Sequence, residues 1–170
     1  MKDKVVKFFK DNYSYIIIII IVLLFRTYIA TPIRVNGTSM HPTLKEKEIM
    51  ILNKIGLTKG IDRFDIVVVK TEEKHLIKRI IAMPGETVTY SEGNLYINGK
   101  KMEDKYALSA TQDFKVYKLK KDQYFVMGDN RAVSNDSRNL GPISKKDIIG
   151  KTSLVIFPFK EIRNVKWIIY

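Results

Sequence analysis

The sequence has 170 residues, of which 45% are hydrophobic, so it is long and apolar enough for one folded domain with a real core. It has no cysteine and only two histidines, His41 and His75, which excludes disulfides and thiolate metal sites and leaves too few imidazoles for a metal cluster. The formal net charge of +12 favours an anionic partner, either nucleic acid or a membrane surface.

The first predicted element is an almost wholly apolar segment over residues 13–30, with an unbroken apolar run at 16–25. As a helix with a rise of about 1.5 Å per residue it spans roughly 27 Å, just enough to cross a membrane. Arg26 lies near its far end, where a long side chain can reach the headgroups, and Tyr28 suits the interface. The segment predicts a transmembrane anchor.

The charges that flank this anchor predict its orientation. Four lysines precede it, whereas Arg34 is the only Lys or Arg in the dozen residues that follow. The asymmetry places residues 1–12 in the cytoplasm and residues 31–170 outside. A cleavable secretory signal has a similar pattern, but the bulky Tyr28 stands two residues before Ala30, where cleavage needs a small residue, so a retained anchor is favoured.

Beyond the anchor, short β-rich runs alternate with turn residues. Strands are predicted over residues 65–70, 76–82, 124–127 and 152–157, with a hairpin over 87–101 that turns at 92–94 and again at 98–99. The sequence has no internal repeat and no second apolar span. We therefore expect one mostly antiparallel β domain on a helical stalk.

Ser39 is a candidate nucleophile just after the anchor. Gly37 and Pro42 flank it and allow a turn that exposes the hydroxyl and leaves backbone N–H groups free for an oxyanion. Without a base nearby, Ser39 is better interpreted as an ordinary loop serine with local hydrogen bonds.

Lys78 is a candidate base for that serine. In the strand at 76–82, period-two alternation puts Lys78 on the face of Leu76 and Ile80, and Arg79 on the other face. A lysine base must be neutral, and lowering its pKa from ~10.4 to ~7.5 takes about 4 kcal/mol, which burial can supply. The alternative is a solvated strand edge on which lysine prevents pairing.

Two further features are ambiguous when taken alone. His41 and His75 are weaker candidates for the base, because neither has an obvious orienting carboxylate. Residues 128–138, Gly-Asp-Asn-Arg-Ala-Val-Ser-Asn-Asp-Ser-Arg, are typical of an ordinary solvated loop, since such residues cluster in turns for local backbone reasons.

Four segments occur in a specific order: Ser-Met-His-Pro-Thr at 39–43, Arg-Phe-Asp-Ile-Val-Val at 63–68, Lys-Arg-Ile-Ile-Ala-Met-Pro-Gly at 78–85, and the run at 128–138. Together they resemble the ordered motifs of the bacterial type I signal peptidases (leader peptidases), which are Ser/Lys-dyad serine proteases. The resemblance covers essentially the whole chain, including the apolar N-terminal segment. It implies a mainly β fold, with an antiparallel β-sheet catalytic domain of the signal-peptidase type on a single N-terminal transmembrane helix.

The same resemblance implies a function. Members of this family are single-pass enzymes of the bacterial plasma membrane that remove signal peptides from exported preproteins after small residues at positions −1 and −3. The implied partners are signal peptides, the lipid bilayer and the secretion machinery. No metal, no cofactor and no nucleic acid is implied.

The resemblance also assigns residues. Ser39 matches the nucleophile, Lys78 the general base, and Ser134 the hydroxyl that orients the lysine amine. Structural support of the site is assigned to four charged residues, of which the last two form an ion pair: Arg79, Arg131, Asp136 and Arg138. Shallow pockets for the substrate are assigned to five apolar residues that could equally be core residues: Val35, Met40, Leu44, Leu76 and Ile77.

The chain departs from the family pattern at three places. Gly37 stands where some members have a side-chain hydroxyl that contributes to the oxyanion hole. Phe64 stands where glycine is frequent, and residues 82–83 replace a common Gly-Leu. None of these changes removes a group that the mechanism requires.

Two other functions compete with the peptidase. One is a catalytically silent, membrane-tethered peptide-binding domain of the same fold, against which the intact set of site residues argues. The other is a self-cleaving repressor with a similar Ser/Lys dyad, but such proteins carry a DNA-binding domain where this chain has an anchor. No nucleic-acid-binding module accompanies the basic residues.

Overall fold

The computed structural model describes residues 2–165, with side chains described from residue 10 onward. A long helix, α1, runs over Lys2–Tyr28. Its part Lys10–Tyr28 is long and apolar enough to cross a membrane, and none of it is buried against the rest of the protein. The helix ends at Tyr28, and Ala30, the last residue of the predicted anchor, already belongs to the first strand.

The end of α1 is fastened to the β domain by hydrogen bonds. The Thr31 hydroxyl donates to the carbonyl of Arg26 at 2.7 Å, and Lys54 Nζ donates to the carbonyl of Thr27 at 2.8 Å. The last carbonyls of a helix lack partners within the helix, so these contacts satisfy groups that would otherwise need water. The end of the helix is thereby held beside the first two strands.

The described residues form twelve strands and a second, short helix, α2, over Ser137–Leu140. The strands are β1 Ala30–Arg34, β2 Ile49–Asn53, β3 Ile66–Lys70, β4 His75–Ala82, β5 Thr87–Ser91, β6 Asn94–Ile97, β7 Lys100–Met102, β8 Phe114–Lys118, β9 Gln123–Met127, β10 Ile143–Ser144, β11 Ile148–Phe157 and β12 Arg163–Asn164.

Within residues 2–165 these strands build two antiparallel sheets. The larger has the order β1-β2-β11-β3-β4-β9-β10, with β12 paired to β11, and the smaller has the order β7-β6-β5-β8. Strand β4 pairs with β3 on one side and with β9 on the other, from Arg79 onward. This arrangement confirms the predicted mainly antiparallel β fold.

The core consists of three clusters of buried apolar side chains. One joins the two sheets, since it combines residues of β4 and β9 with residues of β5 and β6, including Ile81, Phe125, Val88 and Leu95. A second lies under the turn between β1 and β2, and a third lies around β3, β9 and β11. The central position of β4 is the reason that its charged residues reach the interior.

Candidate active site

Ser39 lies in the turn between β1 and β2. Gly37 has φ of 85°, a left-handed conformation that glycine adopts without strain, and the N–H of His41 donates to the carbonyl of Thr38 at 3.0 Å. These features close the turn around Ser39 and leave its side chain partly exposed.

Lys78 lies on β4 opposite Val67 of β3, at the point where β9 has ended and the loop at 128–138 begins. Lys78 is buried, with only 2% of its surface accessible to solvent. Lys78 Nζ lies 2.7 Å from Ser39 Oγ, within hydrogen-bond distance. The structure therefore brings together two candidate residues that are 39 positions apart in the sequence.

Burial lowers the pKa of Lys78 to about 8, because the ammonium loses its hydration. The carboxylates of Asp136 and Asp129 oppose this shift, and the cations of Lys74 and Arg138 add to it. A lysine with such a pKa is substantially neutral in mildly alkaline solution and can accept a proton there.

The loop at 128–138 is organised around the buried carboxylate of Asp136. This carboxylate accepts the backbone N–H of Gly128 at 3.0 Å and two hydrogen bonds of 2.9 Å from the Arg138 guanidinium. Burial opposes ionisation, but the hydrogen bonds from Arg138 hold the pKa of Asp136 below its usual range. The structure thus contains the Asp136–Arg138 ion pair that the resemblance implies.

Ser134 lies in the same loop, beside Gly128. A Cβ placed on Gly128 would collide with Ser134 Oγ and with the carbonyl oxygen of Ser39, so the three residues are tightly packed. Ser134 Oγ is buried and makes no hydrogen bond to the Lys78 amine in this structure. Its role as the hydroxyl that orients this amine stays a prediction.

Arg79 does not line the groove, but its contacts hold the strand and the loop beside Ser39 and Lys78. Its guanidinium binds the buried carboxylate of Asp129 through two hydrogen bonds of 2.8 and 2.6 Å and stacks on Tyr106 at 3.7 Å. Asp129 in turn accepts the Thr43 hydroxyl at 2.5 Å. This network joins β4, the loop at 128–138 and the turn of Ser39.

Arg131 ties the same loop to the smaller sheet. It donates to the carbonyl of Gly128 at 2.9 Å, and its guanidinium pairs with the buried carboxylate of Asp104. Asp104 also accepts the Tyr90 hydroxyl at 2.6 Å, and the Thr111 hydroxyl accepts from Arg131 at 2.8 Å. The loop beside Ser39 and Lys78 is thus held from both sheets.

A groove of about 550 Å³ opens over the Ser39–Lys78 pair. Four of the five predicted pocket residues line it, namely Val35, Met40, Leu76 and Ile77. Leu44 does not, because its side chain is fully buried in the cluster under the turn, where it packs with Met50 and Val155. The assignment of Leu44 to the pocket was therefore wrong, because Leu44 is a core residue.

Several residues of these networks had no role in the sequence prediction, among them the polar residues Thr43, Asp104 and Asp129. Thr43 and Asp129 lie inside the segments that carry the family resemblance, and that position could have indicated a role. Asp104 lies outside those segments, so the sequence gives no signal for it. The part of the chain that the structure describes contains no group of three or more His, Cys, Asp or Glu residues able to hold a metal ion.

Comparison with known proteins identifies the family. The family model described as "Signal peptidase, peptidase S26" matches residues 7–157. Signal peptidase I P of Bacillus subtilis subsp. natto is 44% identical over 166 residues, which cover 89% of this chain and 90% of the relative. Signal peptidase I T of Bacillus subtilis strain 168 is 39% identical over 180 aligned positions, which cover 97% of this chain and 93% of the relative.

Among solved structures, the crystal structure of a signal peptidase I from Enterococcus faecalis V583 aligns with a TM-score of 0.49 at 32% identity. The alignment covers 54% of this chain and 95% of that chain. The family match extends over most of the present sequence and includes Ser39 and Lys78. The chain therefore belongs to the signal peptidase family, peptidase S26.

Proposed function

We propose that this protein is a membrane-anchored serine endopeptidase that removes signal peptides from exported preproteins. The observation that carries the proposal is the distance of 2.7 Å between Lys78 Nζ and Ser39 Oγ at the base of an open groove. Its relatives in Bacillus are signal peptidases I, and the similarity to them runs along almost the whole chain.

In the proposed reaction, neutral Lys78 accepts the proton of Ser39 while Ser39 Oγ attacks the scissile carbonyl carbon. The ammonium then returns the proton to the amine of the leaving mature protein, and an acyl-enzyme remains on Ser39. A water molecule gives a proton to Lys78 and attacks the ester carbonyl carbon; the bond to Ser39 Oγ then breaks, Lys78 returns the proton to Ser39 Oγ, and the signal peptide leaves with a free carboxylate. Neither a metal nor an organic cofactor takes part.

The oxyanion is stabilised by the backbone N–H of Ser39 in this proposal. Gly37 has no hydroxyl that could act as a second donor. Its left-handed backbone conformation shapes the turn that leads into Ser39. The contacts of Asp136, Arg138 and Arg79 act on the dyad indirectly, since they hold the loop and the strand that carry it.

The substrate binds as an extended segment along the groove, where main-chain hydrogen bonds provide affinity and shallow pockets provide specificity. Val35, Met40, Leu76 and Ile77 form the pocket walls for the small residues at −1 and −3. Val35 and Met40 are buried, Leu76 and Ile77 are partly buried, and all four lie beside the dyad, which suits pockets that admit only small groups.

Cleavage of a secretory precursor by the purified full-length chain in detergent tests the dyad. We expect Ser39→Ala and Lys78→Met each to abolish turnover, with the circular dichroism spectrum unchanged. Ser109→Ala and Lys115→Met alter exposed residues away from the groove and serve as matched controls that retain activity. Full activity in Ser39→Ala or Lys78→Met would reject the dyad, and saturable precursor binding without turnover in the unmodified protein would instead support the silent binding domain.

The proposed topology has the N-terminus in the cytoplasm, α1 across the bacterial plasma membrane and the β domain on the outer face. Lipid and the secretion machinery that delivers preproteins are then its partners. Because the chain has no cysteine, single cysteines report the topology directly. In intact cells, a membrane-impermeant maleimide should label Ser109→Cys and leave Asp3→Cys unlabelled, and the reverse result would invert the orientation.

A further inference from the structure

The groove that holds Ser39 and Lys78 has a basic lining. Besides Lys78, its walls include Arg34, Lys54 and Lys74, together with His75. Among the described residues that line it, none is an aspartate or a glutamate. A cleft lined by charges of one sign concentrates their field, so a peptide inside it experiences a positive potential.

Arg34, Lys54 and Lys74 form no ion pair with a carboxylate within residues 10–165. Lys54 Nζ donates to the carbonyl of Thr27, which is a neutral acceptor. Arg34 and Lys74 are both exposed. Glu72 and Glu73 precede Lys74 in the same turn but do not line the groove. Arg34 and Lys74 therefore present positive charges to a bound peptide, in addition to the charge of Lys54 at the helix end of the groove.

The position of Lys74 determines which part of the peptide it meets. Lys74 precedes Lys78 by four residues, which at about 3.3 Å per extended residue is about 13 Å along the line of β4. Leu76 and Ile77, the candidate pocket walls for −1 and −3, lie between them. An extended peptide cut at Ser39 would therefore bring positions −4 to −6 beside Lys74.

The direction of the groove agrees with this assignment. Its lining includes Thr31 and Lys54, the two residues whose side chains hold the carbonyls at the end of α1. The groove thus leads from the dyad toward the apolar helix. The apolar part of a signal peptide lies in the bilayer, so the residues that precede its cleavage site enter from this same end.

We propose that Arg34 and Lys74 make the enzyme select precursors by the charge that lies just before the −3 position, favouring acidic residues at −4 to −6 and rejecting basic ones. The inference rests on the proposed function, because it names a further requirement on the same substrate. Attraction and repulsion act on the bound peptide, so the effect falls on kcat/KM.

Three peptides with one cleavage site, carrying Glu, Gln or Lys at −5, test the inference with the full-length protein in a neutral detergent. We expect kcat/KM to fall in the order Glu, Gln, Lys, by about threefold at each step in low salt, the size typical of exposed ion pairs. The differences should shrink in about 0.5 M salt because screening then acts over only a few ångströms.

Charge reversal of the enzyme identifies the residues that are responsible. In Lys74→Glu, and in Arg34→Glu, the ratio of kcat/KM for the Lys peptide to that for the Glu peptide should rise by at least about fivefold. The ratio is taken within one enzyme, so a general loss of catalytic power cancels. Lys115→Glu makes the same charge reversal on the exposed face of β8 and should leave the ratio unchanged.

The outcomes separate this inference from the proposed function. If the Gln peptide is not cleaved by the unmodified protein, the proposed function fails. If all three peptides are cleaved with equal kcat/KM, the charge selection fails and the peptidase assignment stands. If Lys115→Glu shifts the ratio as much as Lys74→Glu does, net charge rather than the groove is responsible, and the inference is overturned.

Discussion

The backbone N–H of Asn130 donates a hydrogen bond of 3.0 Å to the carbonyl oxygen of Ser39. The side-chain amide of Asn130 also donates to the carbonyl of Thr38 at 3.3 Å. The loop at 128–138 is therefore joined through backbone atoms to the turn that carries the proposed nucleophile. Any displacement of the loop is transmitted to Ser39.

The close approach at Gly128 makes this coupling testable with one methyl group. In Gly128→Ala the new Cβ collides with the Ser39 carbonyl oxygen, which is backbone and cannot rotate away. We expect kcat/KM for precursor cleavage to fall about 100-fold, the cost of shifting a reacting group by about 1 Å. Gly56→Ala, where the Cβ meets only the flexible side chain of Asn53, is the control and should retain activity. Unchanged kcat/KM in Gly128→Ala would show that the loop does not position Ser39.

The lowered pKa of Lys78 predicts a pH dependence of catalysis. The reaction needs the neutral amine, so kcat/KM should rise with pH and level off above the pKa of about 8. The cation of Lys74 contributes to the lowering, and its removal in Lys74→Gln favours the ammonium of Lys78. We expect the rising limb to move to higher pH in Lys74→Gln and to stay in place in Lys115→Gln. A limb that moves to lower pH would contradict this electrostatic coupling.

The same pKa predicts that the proposed general base destabilises the fold. Between about pH 8 and the ordinary lysine pKa, the unfolded state binds more protons than the folded state, so folding stability rises with pH in that window. Below pH 8 the full cost is present, about 3 kcal/mol for the size of this shift. Replacement by an apolar side chain removes that cost.

Lys78→Met should therefore unfold at a higher temperature than the unmodified protein at pH 7, although it is inactive. The difference should decrease as the pH is raised from 8 to 10, since the unmodified protein gains stability there. Thermal unfolding followed by circular dichroism at several pH values measures both effects. A lower unfolding temperature for Lys78→Met at pH 7 would mean that its packing, not its ionisation, dominates.

The sequence predicts the proposed dyad and the Asp136–Arg138 ion pair, but not the partners of Arg79 and Arg131. Ser39 and Lys78 lie in short motifs whose residue order can be recognised without knowing the fold. The pairing of Arg79 with Asp129 depends on how β4 is aligned with the end of β9, which no local pattern in the sequence encodes. The partner of Arg131, Asp104, lies outside the motifs and reaches the loop only through the packing of the two sheets.

The strands, too, divide into those that the sequence predicts and those that it does not. The predicted strands at 65–70 and 76–82 are rich in β-branched residues and correspond to β3 and β4, each correct to within one residue. β8 was not predicted, because two of its five residues are lysines and its burial is slight. Such an edge strand depends on its pairing with β5 rather than on an apolar face of its own.

Leu44 and Leu76 provide a matched pair that distinguishes core from pocket. Leu44 is fully buried with Met40 and Met50, so Leu44→Ala should lower the free energy of unfolding by about 2–5 kcal/mol. It should leave the preference for small residues at −3 unchanged, because Leu44 does not reach the groove. Both quantities follow from denaturant unfolding and from cleavage of peptides with Ala or Leu at −3.

Leu76 lines the groove and is only partly buried, so Leu76→Ala should cost less stability than Leu44→Ala. Its truncation widens the wall beside the bound peptide. The ratio of kcat/KM for the Leu peptide to that for the Ala peptide should then rise by about tenfold, as expected when one or two methylenes are removed from a pocket. An unchanged ratio in Leu76→Ala, or a raised ratio in Leu44→Ala, would move the pocket away from β4 and toward the turn that carries Ser39.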